Sequence, residues 1–236
     1  MHTHTAAEIE FQMSTPVSLN HGWINFDGIV ERLVYRRVLG RDFYNLDGSM
    51  NMPDVKRGMW LGVLAHTDDI AHASVSIFDN DSLATEEYYK CTHLTDIPGT
   101  SKLNIVGGHF RRANLRVIYV CAEYVRFQVL GNLPRLIELL GDLTHIGGDS
   151  RIGFGRISNM VVRSIPYDLS LVDGGIAQRP LPVRMLATSS EQLMLSCRAP
   201  YWRQDNMEMC APPGALVCLR ETHAEEVVWF GAIDRL

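Results

Sequence analysis

The first fifty residues contain an apolar stripe with the three- and four-residue spacing of one helix face. Its members are Phe26, Ile29, Val30, Leu33 and Val34. Asn25 or Asp27 can cap the N-terminus of such a helix, and Gly40 follows its last turn. The pattern therefore predicts an amphipathic helix in this segment.

A second helical pattern begins after Asn132, a good capping residue. Pro134 lies in the first turn, where its missing N–H is not needed. Leucine and isoleucine side chains then recur at intervals of three and four residues as far as Leu143. We predict a helix over residues 132–144.

Other segments alternate apolar and polar side chains, or are rich in β-branched and aromatic residues, as is typical of strands. The segment 115–131 is long enough for one long strand or a bent pair of strands. The predicted strands are 8–13, 59–65, 71–78, 115–131 and 155–165.

The order of these elements is βαββαβ, which predicts an α+β, ferredoxin-like or RRM-like domain over residues 1–165. After Pro166 the chain becomes rich in glycine, proline and turn signals. We therefore predict an elaborated, β-rich C-terminal lobe over residues 166–236, with strands in LVCLRE and EEVVWFGAI.

The net charge of −5 argues against a nucleic-acid binder until its distribution is considered. Residues 111–163 carry eight arginines and four acidic residues, whereas residues 1–110 and 164–236 are both net acidic. A phosphate responds to the charge within a Debye length of ~8 Å. The middle of the chain is therefore the expected place for an anionic ligand.

Several classes of protein are disfavoured by composition. The apolar runs are far shorter than the ~18 residues that a membrane span needs, and the N-terminus has no signal-peptide pattern. Five cysteines without close pairs indicate reduced thiols in a cytoplasmic protein. The His and Asp residues of 66–72 do not converge on one helix face, so we predict no metal and no cofactor.

The most distinctive segment is IGGDSRIGFGRI, residues 146–157, which has four glycines around Arg151. Glycines admit close approach to the backbone, and an arginine among them supplies a charged donor for phosphate. A dinucleotide fold places its glycines between a strand and a following helix, the reverse of this order, and the P-loop Lys-Ser/Thr is absent. A tight helix-to-strand turn remains the alternative.

This segment resembles the glycine-rich loop of the RAMP superfamily, the RNA-binding Cas proteins of CRISPR systems. The matching positions are Ile146, Gly147, Arg151, Gly153, Phe154 and Gly155. Within that superfamily the chain looks most like the subunit that caps the 5′ handle of crRNA, in its type IV version. The resemblance is specific over 115–165, loose over 8–114 and uninformative after 166; it implies a thumb-like insertion at 80–114.

The resemblance implies that this loop contacts RNA. The candidate contact residues in the loop are Gly147, Gly148, Ser150, Arg151, Gly153, Gly155 and Arg156. Gly147 and Gly148 are adjacent, whereas some relatives have a G-x-G arrangement at this point.

Two further basic clusters are candidates for the same ligand. His109, Phe110, Arg111 and Arg112 combine donors for a sugar-phosphate chain with an aromatic ring for a base. Near the end of the first helix, Arg36 and Arg37, with Arg32 one turn earlier, can add phosphate contacts or form an ordinary solvent-exposed face.

Catalysis is the main alternative, because some RAMP proteins cleave repeat RNA with a histidine as general acid or base. The candidates are His109, His145 and Tyr44. Some handle-binding nucleases of the superfamily have a Lys-His pair. In this chain no lysine is directly followed by a histidine, so we expect a non-catalytic protein.

The resemblance implies a subunit that binds the 5′ handle and nucleates a class 1 effector. Its partners are crRNA and other Cas effector subunits: backbone RAMP subunits, a large or small subunit, and target DNA as a further candidate. The alternatives are a metal-independent repeat endoribonuclease and a ferredoxin-like regulatory domain that binds a small anion.

Overall fold

A computed structural model describes residues 4–19, 22–40, 62–80, 82–90 and 113–220. The helices in these ranges are α1 (Phe26–Leu39) and α2 (Leu133–Leu140). The strands up to residue 164 are β1 (Thr5–Met13), β2 (Val17–Ser18), β3 (His66–Thr67), β4 (Ile70–Ala71), β5 (Ile77–Phe78), β6 (Leu83–Lys90), β7 (Ala113–Val120), β8 (Tyr124–Gly131) and β9 (Ile157–Ser164). Those beyond are β10 (Val172–Asp173), β11 (Ile176–Ala177), β12 (Leu181–Pro182), β13 (Leu186–Ser189), β14 (Leu193–Ser196), β15 (Met207–Ala211) and β16 (Val217–Leu219).

The central sheet has four antiparallel strands in the order β5-β8-β1-β9. Strand β1 lies in the middle, with Ile9 opposite Phe127 on β8 and Val162 on β9. Alternation along β1 places Ile9 and Phe11 on the buried face of the sheet. The prediction of an α+β fold is confirmed.

Both helices pack on that buried face. Phe26 of α1 and Phe11 of β1 flank Phe127, with ring centroids at 5.0 and 6.0 Å. Leu136 and Leu140 of α2 are buried in the same core. This packing leaves the C-terminal half of α1 beside α2 and the segment that follows α2.

The predicted long strand over 115–131 is a bent pair. Strand β7 pairs with β2 and β6 in one sheet, whereas β8 pairs with β1 and β5 in the central sheet. The chain changes sheets at 121–123, where the carbonyl oxygen of Glu123 accepts a hydrogen bond from Met13 N–H at 2.8 Å.

Other predicted boundaries differ from those observed. Helix α2 ends at Leu140, not 144, because Asp142 and Leu143 donate to the carbonyl oxygens three residues back, at 3.3 and 2.9 Å, and so leave the α-helical pattern. The predicted strand 71–78 is broken, because Ala73 bridges to Val129 whereas Val75 bridges to Asn25 on the other side. In the segment 59–65, the described residues form a turn and one bridge, from Leu64 to Gly131.

The chain beyond residue 165 has a second core, which includes Leu171, Leu181, Met185 and the thiols Cys197 and Cys210. Ile70 of β4 is buried in this core although it precedes the second helix in sequence. The predicted strand LVCLRE corresponds to β16, and EEVVWFGAI lies outside the described residues. The domain boundary at 165/166 stays a prediction.

Arg179 joins this region to α1. Its guanidinium donates to Asp27 Oδ2 at 3.0 Å, to Tyr201 Oη at 2.9 Å and to the carbonyl oxygens of Cys197 and Ala73 at 2.8 and 3.1 Å. Burial lowers the pKa of Arg179, but Asp27 and the other groups around the guanidinium together have the larger opposite effect, so the pKa is raised above its ordinary value. Tyr201 donates in turn to Asp27 Oδ1 at 2.6 Å and thereby lies against α1.

Candidate nucleic-acid interface

The segment 145–156, which we call the glycine loop, connects α2 to β9. Its two ends meet at an antiparallel bridge between His145 and Arg156, and Ile146 N–H donates to the carbonyl oxygen of Gly155 at 2.9 Å. Between them the chain makes a short 3-10 turn over Ser150–Ile152. The loop is therefore a closed structure with a defined tip.

Two of its glycines are required by close backbone contacts. Gly147 has φ +83°, and a Cβ there would lie 2.5 Å from the carbonyl oxygen of Ser18. Gly155 has φ +70°, and a Cβ there would overlap the carbonyl oxygen of Ile146. A side chain at Gly147 would force the loop away from Ser18, and one at Gly155 would separate the two ends of the loop from each other.

The loop's amides divide into two groups. Gly148 and Gly155 donate to the carbonyl oxygens of Ser18 and Pro16 at 2.9 and 2.7 Å, so these two N–H groups face the protein. Within the described chain, the amides of Ser150 and Arg151 have no acceptor. The backbone donors available to a phosphate therefore lie at the tip of the loop, beside the exposed Arg151 side chain.

Phe154 fixes the tip to the rest of the protein. Its ring is 6% exposed and lies between Tyr119 of β7 and Tyr88 of β6, with centroids at 5.4 and 6.2 Å. Arg151 and Ile152, on the opposite side of the turn, are exposed. The loop thus presents its basic residue to solvent from an anchored backbone.

The glycine loop and α1 enclose a groove with a volume of about 330 Å³. One wall is formed by α1 and contributes Arg32 and Arg36, whose side chains are exposed. The other wall contains His145 and the backbone of Gly147 and Gly148. The groove therefore brings together basic residues that lie more than 100 positions apart in the sequence.

Arg37, in contrast, is engaged in ion pairs. It lies 2.9 Å from both Glu138 Oε1 and Asp142 Oδ2, and donates to the carbonyl oxygen of Glu138 at 2.6 Å. This contact holds α1 against α2. It also neutralises Asp142, which is an acidic residue in the wall of the groove.

Arg156 faces elsewhere. Its side chain is exposed and lines a second, open cleft with Gly153, Asn159 and Thr15. Among the other predicted contact residues, His109, Phe110, Arg111 and Arg112 lie outside the described residues, as does Tyr44.

His145 is the predicted catalytic residue that the structure describes. Its Nδ1 lies 2.9 Å from Thr144 Oγ1, and the ring lines the groove. A buried relay that the sequence analysis missed joins His72 to Asp168 Oδ2 at 2.5 Å and to Thr67 Oγ1 at 2.9 Å. His72 is fully buried, so this relay has no access to a substrate.

The buried relay has electrostatic consequences of its own. Burial works to raise the pKa of Asp168, but hydrogen bonds from His72 and Ser170 outweigh it and lower the pKa below its ordinary value. Nearby, burial lowers the pKa of His66 to about 4, so its ring is neutral at pH 7. These groups hold the β3–β4 hairpin against the C-terminal core.

The open face of the central sheet is unsuited to phosphate. Glu8 and Glu10 project from β1 on this face and pair with Arg163 of β9 at 3.4 and 2.9 Å. An RNA lying across this face would meet two carboxylates, so the expected ligand fits the groove better than the sheet. No cluster of metal-ligating side chains occurs in the described ranges.

Sequence reasoning missed Trp23, Asn25 and Tyr201 as groove residues. Asn25 gave a signal as a helix cap, but its position beside the glycine loop depends on contacts between distant segments. None of the helices described is long and apolar enough to cross a membrane.

A family model described as CRISPR type IV associated protein Csf3 matches residues 65–213. The chain belongs to this family. The match contains the whole glycine loop and Tyr201, whereas α1 lies outside it. In this member of the Csf3 family, the groove is therefore formed by one wall from the matched region and one wall from the preceding residues.

Comparison with curated protein sequences gives no match. Among solved structures, the chain is similar to one in a cryo-EM structure of the type III-B Cmr-beta bound to cognate target RNA, with 8% identity and a TM-score of 0.41. The similarity covers 69% of this chain and 61% of that one, so the chain spans less than two thirds of its length.

Proposed function

We propose that this protein binds the repeat-derived 5′ handle of crRNA in the groove between α1 and the glycine loop. The observation that carries the proposal is a groove lined by Arg32 and Arg36, next to a loop tip at which Arg151 is exposed and two backbone amides have no acceptor within the described residues. Guanidinium groups and backbone N–H groups are the usual donors to RNA phosphates.

The spacing of the helix arginines suits an extended strand. Arg32 and Arg36 are one turn apart, about 6 Å along the helix axis, so they can contact phosphates of successive nucleotides. The Arg37–Asp142 pair removes a repulsive charge from the same wall. We do not include Arg37 among the RNA contacts because its donors already have acidic partners.

The proposed fold of the RNA-binding domain is ferredoxin-like, with the glycine loop before its last strand. The strand order β5-β8-β1-β9, with two helices on one face, supports this assignment. We further propose that residues 166–236 form its C-terminal lobe, and that residues 80–114 contain the thumb-like insertion.

In this proposal the protein caps a type IV effector complex beside backbone RAMP subunits and a large or small subunit, in the cytoplasm. It holds RNA without cleaving it. His145 is bonded to a threonine hydroxyl, and the His72–Asp168 relay is closed to solvent. Neither arrangement offers the paired general acid and base that RNA cleavage needs.

The experiment is co-purification of guide RNA with the full chain co-expressed with a repeat array. Arg151→Glu and Arg36→Glu should each strip RNA from the protein and lower its 260/280 nm absorbance ratio. The matched control is Arg184→Glu, a charge reversal at an exposed arginine that lies outside both the groove lining and the glycine loop. RNA content unchanged in both Arg151→Glu and Arg36→Glu would overturn the proposal.

Two further measurements sharpen this result. Affinity for a labelled handle RNA should fall steeply with salt concentration. Each of the two arginine variants should reduce the slope of log affinity against log salt concentration by about 0.7, the value for one phosphate on a single strand.

Incubation of the protein with labelled repeat RNA tests the alternative function, endoribonuclease activity. Cleavage that is lost in His145→Ala would identify an endoribonuclease.

A further inference from the structure

Trp202 presents its indole ring to solvent. The residue is 48% exposed, although tryptophan is highly buried on average. Trp23, the other tryptophan in the described ranges, is half-buried. An exposed indole is typical of a binding surface, because a single ring supplies a large apolar contact area. The position of Trp202 relative to the groove therefore determines which ligand it meets.

The turn that carries Trp202 is held by its own hydrogen bonds. Arg203 N–H donates to the carbonyl oxygen of Pro200 at 3.2 Å, and Asn206 Nδ2 donates to the same oxygen at 2.9 Å. The Oδ1 of Asn206, a buried residue, accepts from Arg198 Nε at 3.0 Å. The Trp202 ring thus extends from a backbone whose shape is fixed before a ligand binds, which lowers the entropic cost of binding.

Tyr201, the residue before Trp202, attaches this turn to α1. Its Oη donates to Asp27 Oδ1 at 2.6 Å and accepts from Arg179 at 2.9 Å. Its ring lies against Gly28, where a Cβ would be 3.4 Å from two of the ring carbons. Tyr201 also lines the groove, and consecutive Cα atoms are about 3.8 Å apart, so Trp202 begins within one residue of the groove wall.

The contact at Gly28 places Tyr201 in line with the basic residues of the groove. Gly28, Arg32 and Arg36 are spaced four residues apart, so they follow one another along the same side of α1. All three line the groove. At about 1.5 Å per residue, Gly28 lies about 6 Å from Arg32 and about 12 Å from Arg36 along the helix axis. A strand whose phosphates contact Arg36 and then Arg32 would therefore reach Tyr201 and Trp202 next.

Arg203 supplies a positive charge beside the ring. Its guanidinium lies over the Trp202 ring, 5.9 Å from the centroid, which is within the range of a cation–π interaction. Arg203 is exposed and forms no ion pair within the described residues. Burial is the main reason that the pKa of Glu31 on α1 is raised, and Arg203 acts in the opposite direction, which places its charge near this helix. The ring and the guanidinium together suit one nucleotide, the ring its base and the guanidinium its phosphate.

We propose that Trp202 stacks an unpaired base of the bound RNA where the strand leaves the groove at Gly28, and that Arg203 contacts the adjoining phosphate. The inference rests on the proposed function of the groove and extends the RNA site into the C-terminal region. Every base has a π-face, so this contact adds affinity without selecting a sequence. An exposed tryptophan also suits a protein contact, but the unpaired guanidinium beside it, in line with Arg32 and Arg36, favours a nucleotide.

The experiment measures binding of the full chain to a fluorescein-labelled, mixed-sequence RNA of eight nucleotides by fluorescence anisotropy. Trp202→Ala should weaken binding by about fivefold or more, because a base stacked on an aromatic ring contributes about 1–3 kcal/mol. Trp202→Phe should retain most of the affinity, since phenylalanine keeps an aromatic surface for the base. Arg203→Met should weaken binding and reduce the slope of log affinity against log salt concentration by about 0.7.

An abasic oligomer of the same length separates stacking from the other contacts. It has the ribose-phosphate chain without bases, so the wild type and Trp202→Ala should bind it with equal affinity. Tyr167→Ala is the matched control, because Tyr167 is 56% exposed and lies outside both the groove lining and the glycine loop. This variant should bind the RNA as the wild type does. Circular dichroism checks that each variant has the secondary structure of the wild type.

The possible failures are distinguishable. Equal affinity of the wild type and Trp202→Ala for the RNA would overturn the stacking contact and leave the groove standing. If neighbouring effector subunits were then lost on co-purification of Trp202→Ala, the ring would be a protein contact instead. An equal loss on the abasic oligomer would show that Trp202 shapes the site without holding a base. Absence of RNA binding by the wild type would overturn both this inference and the proposed function.

Discussion

The guanidinium of Arg179 lies 3.0 Å from the carboxylate of Asp27, and the two side chains are 1% and 2% exposed. The pair links the first helix to the C-terminal region across 152 positions of sequence. Removing one member of such a pair leaves the other as an uncompensated buried charge. The position of α1, which forms one wall of the groove, therefore depends on this buried contact with the C-terminal region.

We predict that Arg179→Met lowers the free energy of unfolding by about 3–5 kcal/mol, the usual cost of breaking a buried pair from one side. Urea denaturation followed by tryptophan fluorescence measures this loss. Arg184→Met is the matched control, since Arg184 is 39% exposed and lies 3.5 Å from Glu208. Its expected cost is about 1 kcal/mol or less. Equal losses in the two variants would contradict the role assigned to Arg179.

A second prediction concerns Arg37. Its removal should weaken RNA binding indirectly, because Asp142 would then present an unpaired negative charge to the groove. Arg37→Met should therefore lower affinity for handle RNA, and the double variant Arg37→Met/Asp142→Asn should restore it. Fluorescence anisotropy at low salt, where screening is weak, gives the clearest measurement. If the double variant stays weak, Arg37 contacts RNA directly.

A third prediction concerns Glu31, which is 7% exposed on α1. Burial, together with the nearby Asp27, raises the pKa of Glu31 to about 7, and Arg203 works in the opposite direction. Below pH 4.5 the carboxyl group is protonated in both the folded and the unfolded states, and it does not reduce stability. As the pH rises from 4.5 to 7, the unfolded state releases the proton more readily, so the folded state loses stability.

Glu31→Gln should remove this pH dependence. The variant should resemble the wild type at pH 5 and be more stable at pH 8, as measured by urea denaturation at intervals of one pH unit. Glu191→Gln, at an exposed position, should leave the profile of the wild type unchanged. A wild-type profile that rises between pH 5 and 8 and is unaffected by Glu31→Gln would refute the assignment.

Local signals in the sequence were sufficient for the elements that frame the site. Asn132 and Pro134 marked the start of α2, and the Asn132 side chain does form the expected capping bond. The β-branched pattern of 115–131 predicted a bent pair of strands as one of two options, and that option is confirmed. Such features depend on residues a few positions apart, which a single sequence displays directly.

The contacts that complete the groove could not be found in this way. Arg37 appeared to be equivalent to Arg36, and only the packing of α1 against α2 shows that one is paired with acids while the other faces the groove. Asn25 had a conventional interpretation as a cap. Its side chain makes no capping hydrogen bond, and its backbone bridges to Val75, a contact between distant segments that the sequence does not display.

The Phe154 ring contacts Tyr88 of β6 and Tyr119 of β7, and thereby packs the glycine loop against this pair of strands. A displacement of β6 and β7 would therefore also displace the turn that carries Arg151. In the proposed function, a partner docked on β6 and β7 would therefore also shift the basic side chain that we assign to RNA.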